Sequence, residues 1–335
     1  MAEASDMRDE MVRTLDRVVA DHLTTADRES ADGGPMSERL WSALAEQGIT
    51  AIGEAASDIS YADALALVAR AAYHAAPVPL GDTVLARRIL SQAGIAPPEG
   101  AMAVARHGRQ HGGGMCPAVP YGRSCRFVVV PSGDRVELFA ITGALSHGQN
   151  HAGEPRDAVD LAAARRLAEG ALAEARRRIE LEGALVRAVE ITGALERALE
   201  HSLTWVNERV QFGRTIAKFQ AIQHAMAVMA SEVAAARAAA AGAVEAASAE
   251  GRADWFLTAV AKARAGEAAG KVANAAHAVF GAMGFTREHP LHYATRRLWA
   301  WRDEFGSEVV WQAELGGEVL SRGGAKLWEM VAERG

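Results

Sequence analysis

Glu208-Arg-Val-Gln-Phe-Gly-Arg214, continued by Ile216-Ala-Lys-Phe-Gln-Ala-Ile-Gln223, is the stretch whose reading decides the fold. Apolar residues recur every three or four positions before it, at Leu181, Leu185, Val189, Thr192, Leu195, Leu199 and Leu203. They recur again after it, at Phe219, Ile222, Met226, Met229 and Val233. That spacing is the face of an amphipathic helix. One helix therefore ends at Gly213 and a second starts almost at once, and the glycine allows the sharp reversal. Arg209 sits at the turn, where its guanidinium offers a planar fork of donors suited to phosphate oxygens. A plain helical hairpin with Arg209 as a surface charge is the other reading of these residues.

The pattern continues outward. Asp254 to Phe280 reads as a third helix, rich in Ala and Gly, and Ser307 to Val331 as a fourth. Small residues between Val233 and Gly242 allow two helices to approach closely. Four long amphipathic segments on short loops predict an antiparallel four-helix bundle over 153–335. Upstream, residues 1–100 read as a helical domain. Met7–His22 has helical spacing, and Ser37 caps a helix that stops at Gly48, with Leu40, Trp41 and Leu44 on its apolar side. Tyr61–Tyr73 is another helix, Pro77 and Pro79 break the chain, and Asp82–Leu90 is short and helical. Between the two, 101–152 reads as a small β segment: Cys125–Pro131 and Val136–Ile141 flank the turn Ser132-Gly-Asp134. The expected fold class is mainly α with a reduced β portion.

Bulk properties exclude several functions. The 335 residues carry a net charge of −6 with a pI near 6, which argues against nucleic-acid binding. Arg176–Arg178 lies in an Ala- and Glu-rich context and reads as a solvated helix face. Cys116 and Cys125, with no CxxC and no signal peptide, suggest a reducing compartment, and a cytoplasmic protein is expected. No apolar run is read as long enough to span a bilayer. His107 and His111 have i,i+4 spacing, but the surrounding glycines argue against a metal-binding helix, and no metal is expected.

The turn Arg209-x-Gln211-Phe212-Gly213, followed by Phe219-Gln220, resembles the turn between the first two helices of the acyl-CoA dehydrogenase C-terminal bundle. Phe280-Gly-Ala-Met-Gly-Phe-Thr-Arg-Glu-His-Pro290 is similar to the glycine-rich turn after that bundle's third helix, with Gly281, Gly284, Phe285, Glu288 and Pro290 matching. Leu40-Trp-x-x-Leu-Ala-Glu-Gln-Gly-Ile49 resembles a helix pair of the family's N-terminal domain. The resemblance implies FAD as cofactor. Arg209 would reach the pyrophosphate of a flavin held mainly by a neighbouring subunit. Gln211, Phe212, Phe219 and Gln220 would lie near its adenosine end, with the backbone at Gly281 close by. It further implies α,β-desaturation of an acyl-CoA thioester, an electron-transfer flavoprotein as acceptor, and a homo- or hetero-oligomer with another acyl-CoA dehydrogenase subunit.

The sequence also departs from that family. Removing the Cα proton of a thioester needs a desolvated carboxylate. Counting without gaps puts Phe305 at one of the family's two base positions and Gly183 at the other. Glu304 and Glu182 are one residue away, and one residue rotates a helical side chain by about 100°. Glu304 is the candidate base if this chain acts by itself. Ala282 replaces a glycine and Ala278 a cofactor-contacting glutamine, and the middle segment lacks the family's flavin-contacting motif. In Arg296-Arg-Leu-Trp-Ala-Trp-Arg-Asp-Glu304 the tryptophans either line a ligand site or pack a helix end. These departures resemble the short subunits of heteromeric, steroid side-chain-type acyl-CoA dehydrogenases. The alternative is a helical-bundle partner with a structural or regulatory role and no flavin of its own.

Overall fold

The computed structural model describes residues 2–52, 59–106, 114–143 and 145–332. Helices come first: α1 (Ala2–His22), α2 (Thr25–Ser30), α3 (Glu38–Glu46), α4 (Tyr61–Tyr73) and α5 (Leu80–Gln92). Several starts follow local chemistry. The side chains of Thr24, Ser37 and Ser60 accept from the backbone N–H three residues on, satisfying donors that the first helical turn leaves free. Leu40, Trp41 and Leu44 are buried, as the spacing predicts.

Strands follow: β1 (Met102–Val104), β2 (Met115–Pro120), β3 (Phe127–Ser132), β4 (Arg135–Ala140), β5 (Leu145–Ser146), β6 (Arg156–Asp160) and β7 (Arg165–Ala171). They form a four-stranded sheet, β1-β3-β4-β7, and a three-stranded one, β2-β6-β5. The expected hairpin is β3–β4, in register from Phe127 opposite Ala140 to Ser132 opposite Arg135. The β region, however, runs to Ala171, past the 152 boundary read from sequence and into residues expected to be helical. Leu167, Ala168 and Glu169 are good helix formers, but pairing with β4 overrides that local preference. Cys116 and Cys125 are buried free thiols. His107 and His111 lie outside the described residues.

The C-terminal part is built on α6 (Ala175–Glu208), α7 (Gln220–Glu250), α8 (Trp255–Phe280), α9 (Leu291–Asp303) and α10 (Glu308–Arg322), with a short α11 (Leu327–Ala332). α8 packs on α6, α7, α9 and α10. Its fully buried Ala259, Ala261, Ala265, Ala268, Ala269, Ala273 and Ala276 let these neighbours come close. The fourth helix expected from Ser307 to Val331 is shorter: α10 stops at Gly323, whose φ of 88° is left-handed. The turn at 209–219 is also more than a glycine stop. β8 (Val210–Gln211) and β9 (Arg214–Thr215) make a two-residue hairpin between α6 and α7. One expectation on membranes is corrected: by length and composition alone, α7 is apolar enough to cross a bilayer. Alanine supplies most of this apolar character, and the helix packs against α6 and α8.

Candidate active site and cofactor-binding turn

The hairpin loop is Phe212-Gly213, with φ of 51° and 76°. Two positive φ values are what a type I′ turn requires, and Asn-Gly is its favoured sequence. Phe212 takes a conformation that strains a side-chain-bearing residue, yet its ring is 91% exposed. The ring lies edge-on to Phe219, at 6.1 Å between centroids, and the Arg214 guanidinium stacks on Phe219 at 4.2 Å. Arg209, Gln211 and Gln220 are all exposed around the same turn. The Arg209 guanidinium lies 5.7 Å from the Trp205 ring, and no carboxylate pairs with it among the described residues. Trp205 also stacks on Phe280 at 4.9 Å, which brings Gly281 (φ 60°) to the same end of the bundle. A free guanidinium beside exposed aromatic rings is a donor set that fits a phosphate-bearing aromatic cofactor held outside this chain.

Glu304 lies elsewhere. It follows α9 and lines a cleft of about 720 Å³ between α9, β2 and the loop before β6. Its carboxylate accepts from Arg156 Nε (2.8 Å), Arg187 Nε (2.7 Å) and Asn150 Nδ2 (3.1 Å). Burial alone would raise its pKa, but Arg156 and Arg187 dominate and hold it at about 2. A carboxylate stabilised to this degree is a poor proton acceptor near neutral pH, so its surroundings oppose the base role expected from sequence. Asp303 also lines the cleft but is exposed to water. Arg187 lies 22 residues before Arg209 on the same helix, roughly 33 Å at 1.5 Å per residue. Arg209 and Glu304 are therefore not parts of one compact site within this chain.

Glu304 belongs to a buried charge network. Arg187 also pairs with Asp82 (2.8 Å) and with Glu190. Glu154 takes Arg297 (3.1 Å), Arg156 (3.2 Å) and the Trp301 indole (2.9 Å). The Trp301 ring is thus part of the packing, one of the two readings open from sequence. Burial raises Glu190 to about 7 against the opposing pull of Arg187. Apart from Glu304, nothing in this network stands out by motif. Arg187 and Glu190 do interrupt the apolar run Gly183–Ile191, and that interruption is the signal by which sequence could find them.

One further residue fixes the turn carrying Phe305. Lys262 on α8 is buried and donates to the carbonyls of Arg302 and Gly306, both at 2.7 Å. Burial pushes its pKa down to about 7, although Glu304, Glu308 and Asp303 pull the other way. Phe305 has a φ of 56° and its side chain is buried. The ring faces Gly183: a Cβ added there would lie 2.5 Å from Phe305 Cδ1. Glu182, one residue away, points elsewhere and accepts from Gln92 Nε2 (2.8 Å) and the Ala253 N–H (2.9 Å).

Comparison with known proteins follows the same division. Residues 175–310 match the model of the acyl-CoA dehydrogenase C-terminal domain. A glutaryl-CoA dehydrogenase of Desulfococcus multivorans is 46% identical over 94 residues, 28% of this chain and 24% of that protein. The chain spans about a quarter to a third of the length of the curated relatives it matches. Over nearly its whole length the fold matches a chain of the ChsE4–ChsE5 complex from Mycobacterium tuberculosis, with a TM-score of 0.81, 20% identity, and 93% and 97% of the two chains covered. A variant of the Tcur3481–Tcur3483 steroid ACAD matches at a TM-score of 0.80 and 20% identity, covering 96% and 99%. At these identities the structural likeness is one of fold.

Proposed function

We propose that the chain is a member of the acyl-CoA dehydrogenase superfamily and one subunit of a heteromeric, FAD-dependent acyl-CoA dehydrogenase, with a second subunit supplying the base. The observation that carries this reading is the contact of Phe305 with Gly183: the two positions where a base is expected are filled by a phenyl ring and by the glycine that makes room for it. Bound FAD would supply the hydride acceptor for α,β-desaturation of a CoA thioester. This chain's own contribution would be to hold that cofactor. Arg209 would bind its phosphates, while Gln211, Phe212, Phe219, Gln220 and the Gly281 backbone would surround its adenosine end. The exposure of Arg209 and Phe212, and their distance from this chain's own cleft, support a flavin bound chiefly by the other subunit. Glu304 is assigned a structural role, as the counter-ion of Arg156 and Arg187.

The test is to purify the chain alone and together with a longer acyl-CoA dehydrogenase subunit. Alone it is expected to be colourless and inactive; the complex is expected to be yellow and to reduce an electron-transfer flavoprotein. A yellow, active homomer overturns the reading. Arg209→Ala is expected to lower flavin retention in the complex. The second reading, a partner without flavin contacts, is favoured by Ala278 and Ala282, where glutamine and glycine would approach the cofactor. It predicts that Arg209→Ala leaves flavin content unchanged.

A further inference from the structure

A second cavity, of about 240 Å³, lies between α2, the end of α4, the C-terminal third of α6 and the start of α9. Arg28, Arg197 and Arg287 line it together with Tyr73, Tyr293 and His201. Among the described residues Glu288 is the one carboxylate in that lining, and it is exposed. Glu29, beside Arg28, is exposed, and burial together with the Glu29 charge raises the pKa of Tyr293. Three other nearby acids are engaged. Asp27 accepts from the backbone N–H of Thr24, and Glu200 pairs with Arg197 at 3.0 Å. Asp32 makes two 3.0 Å bonds to Arg296 while lying 3.8 Å from Arg287.

Arg28 is the exception. It is half-buried, it donates to the His74 carbonyl at 3.4 Å, and no carboxylate pairs with it among the described residues. Burial, with Arg197 and Arg297 repelling it, lowers its pKa against the opposing pull of Tyr293 and Asp27. A partly desolvated cation without a counter-ion is costly unless an anion completes it. Burial, Arg197 and His289 also push His201 down to about 4, so this imidazole is neutral at pH 7 and adds no competing charge. α9 starts at the cavity wall with its first N–H donating to His289 Nδ1 (3.1 Å), and its dipole adds positive potential. The volume is below that of a drug-sized pocket, which suits a small anion or the charged end of a larger molecule.

We propose that this cavity binds a phosphate-type dianion through Arg28, Arg197 and Arg287, either inorganic phosphate or the phosphate monoester of a nucleotide. The cavity adjoins the 280–290 turn, which supplies Arg287, Glu288 and Pro290 to its lining, but uses none of the residues assigned to the flavin and does not depend on the function proposed above. Guanidinium forks match phosphate oxygens, and the Tyr293 hydroxyl can donate to the same group, whereas Tyr73 already donates to Glu200.

Thermal unfolding of the full chain in phosphate-free buffer, titrated with inorganic phosphate and separately with adenosine monophosphate, tests it. A ligand that binds only the folded state raises the Tm with its concentration. Saturable stabilisation by one or both is expected, with sodium chloride at matched ionic strength as the control for screening. The tighter of the two identifies the source. Arg28→Gln should weaken the apparent affinity at least tenfold. Arg197→Lys should weaken it less, and all variants are compared in an Arg209→Ala background so that ligand bound at the hairpin does not contribute. Binding should also raise the His201 pKa, read from its ring NMR signals. The proposal is overturned if neither ligand shifts the Tm at millimolar concentration, or if Arg28→Gln and wild type bind equally.

Discussion

The ring of Phe305 occupies the space that a side chain on residue 183 would need, with 2.5 Å between its Cδ1 and the position of an added Cβ. A glycine inside a helix ordinarily costs about 1 kcal/mol relative to alanine. In α6 that cost is offset by the ring it admits.

The pairing predicts a change of sign. Gly183→Ala in the wild-type background should destabilise by about 1–3 kcal/mol, because a methyl is forced into a filled space. In the Phe305→Ala background the same substitution should stabilise by up to about 1 kcal/mol, since only the helix preference remains. Urea unfolding of the four proteins closes the cycle. Additive effects would mean that the ring and the glycine are not coupled.

Phe212 carries the second prediction. Its left-handed backbone costs roughly 1–2 kcal/mol for a side chain of this kind, while its exposed ring makes little contact in return. Phe212→Asn suits the type I′ turn and should raise the Tm of the isolated chain. In the complex it should lower flavin retention, because the ring would no longer meet the cofactor. A variant that is both more stable and fully flavin-loaded would show the ring to be dispensable.

Some of these relationships are legible in the sequence and others are not. α3, α4, α6, α7 and α8 can be read because their apolar residues follow the helical period and local caps or glycines mark several of the ends. Gly183 and Phe305 each emerge by counting from a turn. Their contact does not, because 3.6-residue spacing says nothing about residues more than a hundred positions apart. β7 reads as helix because Arg, Leu, Ala and Glu favour helix until β4 is there to pair with. Glu304 resembles a base because a carboxylate beside the right position is visible in sequence. The two arginines that hold it come from β6 and from the middle of α6, and only the fold unites them.

That grip on Glu304 makes the third prediction. Its folded pKa of about 2 lies below the ordinary 4.5, so its contribution is complete above pH 4.5 and is lost as pH falls toward 2. Glu304→Gln should destabilise by about 2–4 kcal/mol at pH 7, because Arg156 and Arg187 lose a counter-ion, and its stability should fall less steeply over pH 4.5–2. Were Glu304 the base instead, the glutamine variant of the complex would keep its stability and lose activity. Denaturation and turnover measured on the same preparations separate the two.

Lys262 gives a pH dependence in a different window. Its folded pKa of about 7 lies below the unfolded 10.5, so between these values the unfolded chain holds the extra proton. Raising the pH through that window therefore favours the folded state, by at most about 1.4 kcal/mol for each pH unit crossed. The cost of burying the charged ammonium is fully present below pH 7 and is relieved as pH approaches 10.5. Lys262→Met removes that titration and leaves the Arg302 and Gly306 carbonyls without their donor. The variant's urea midpoint should change less than that of wild type between about pH 7 and 9.5. Equal slopes for the two proteins would show that Lys262 titrates as an ordinary lysine, leaving its two carbonyl hydrogen bonds as its sole part in holding the turn that carries Phe305.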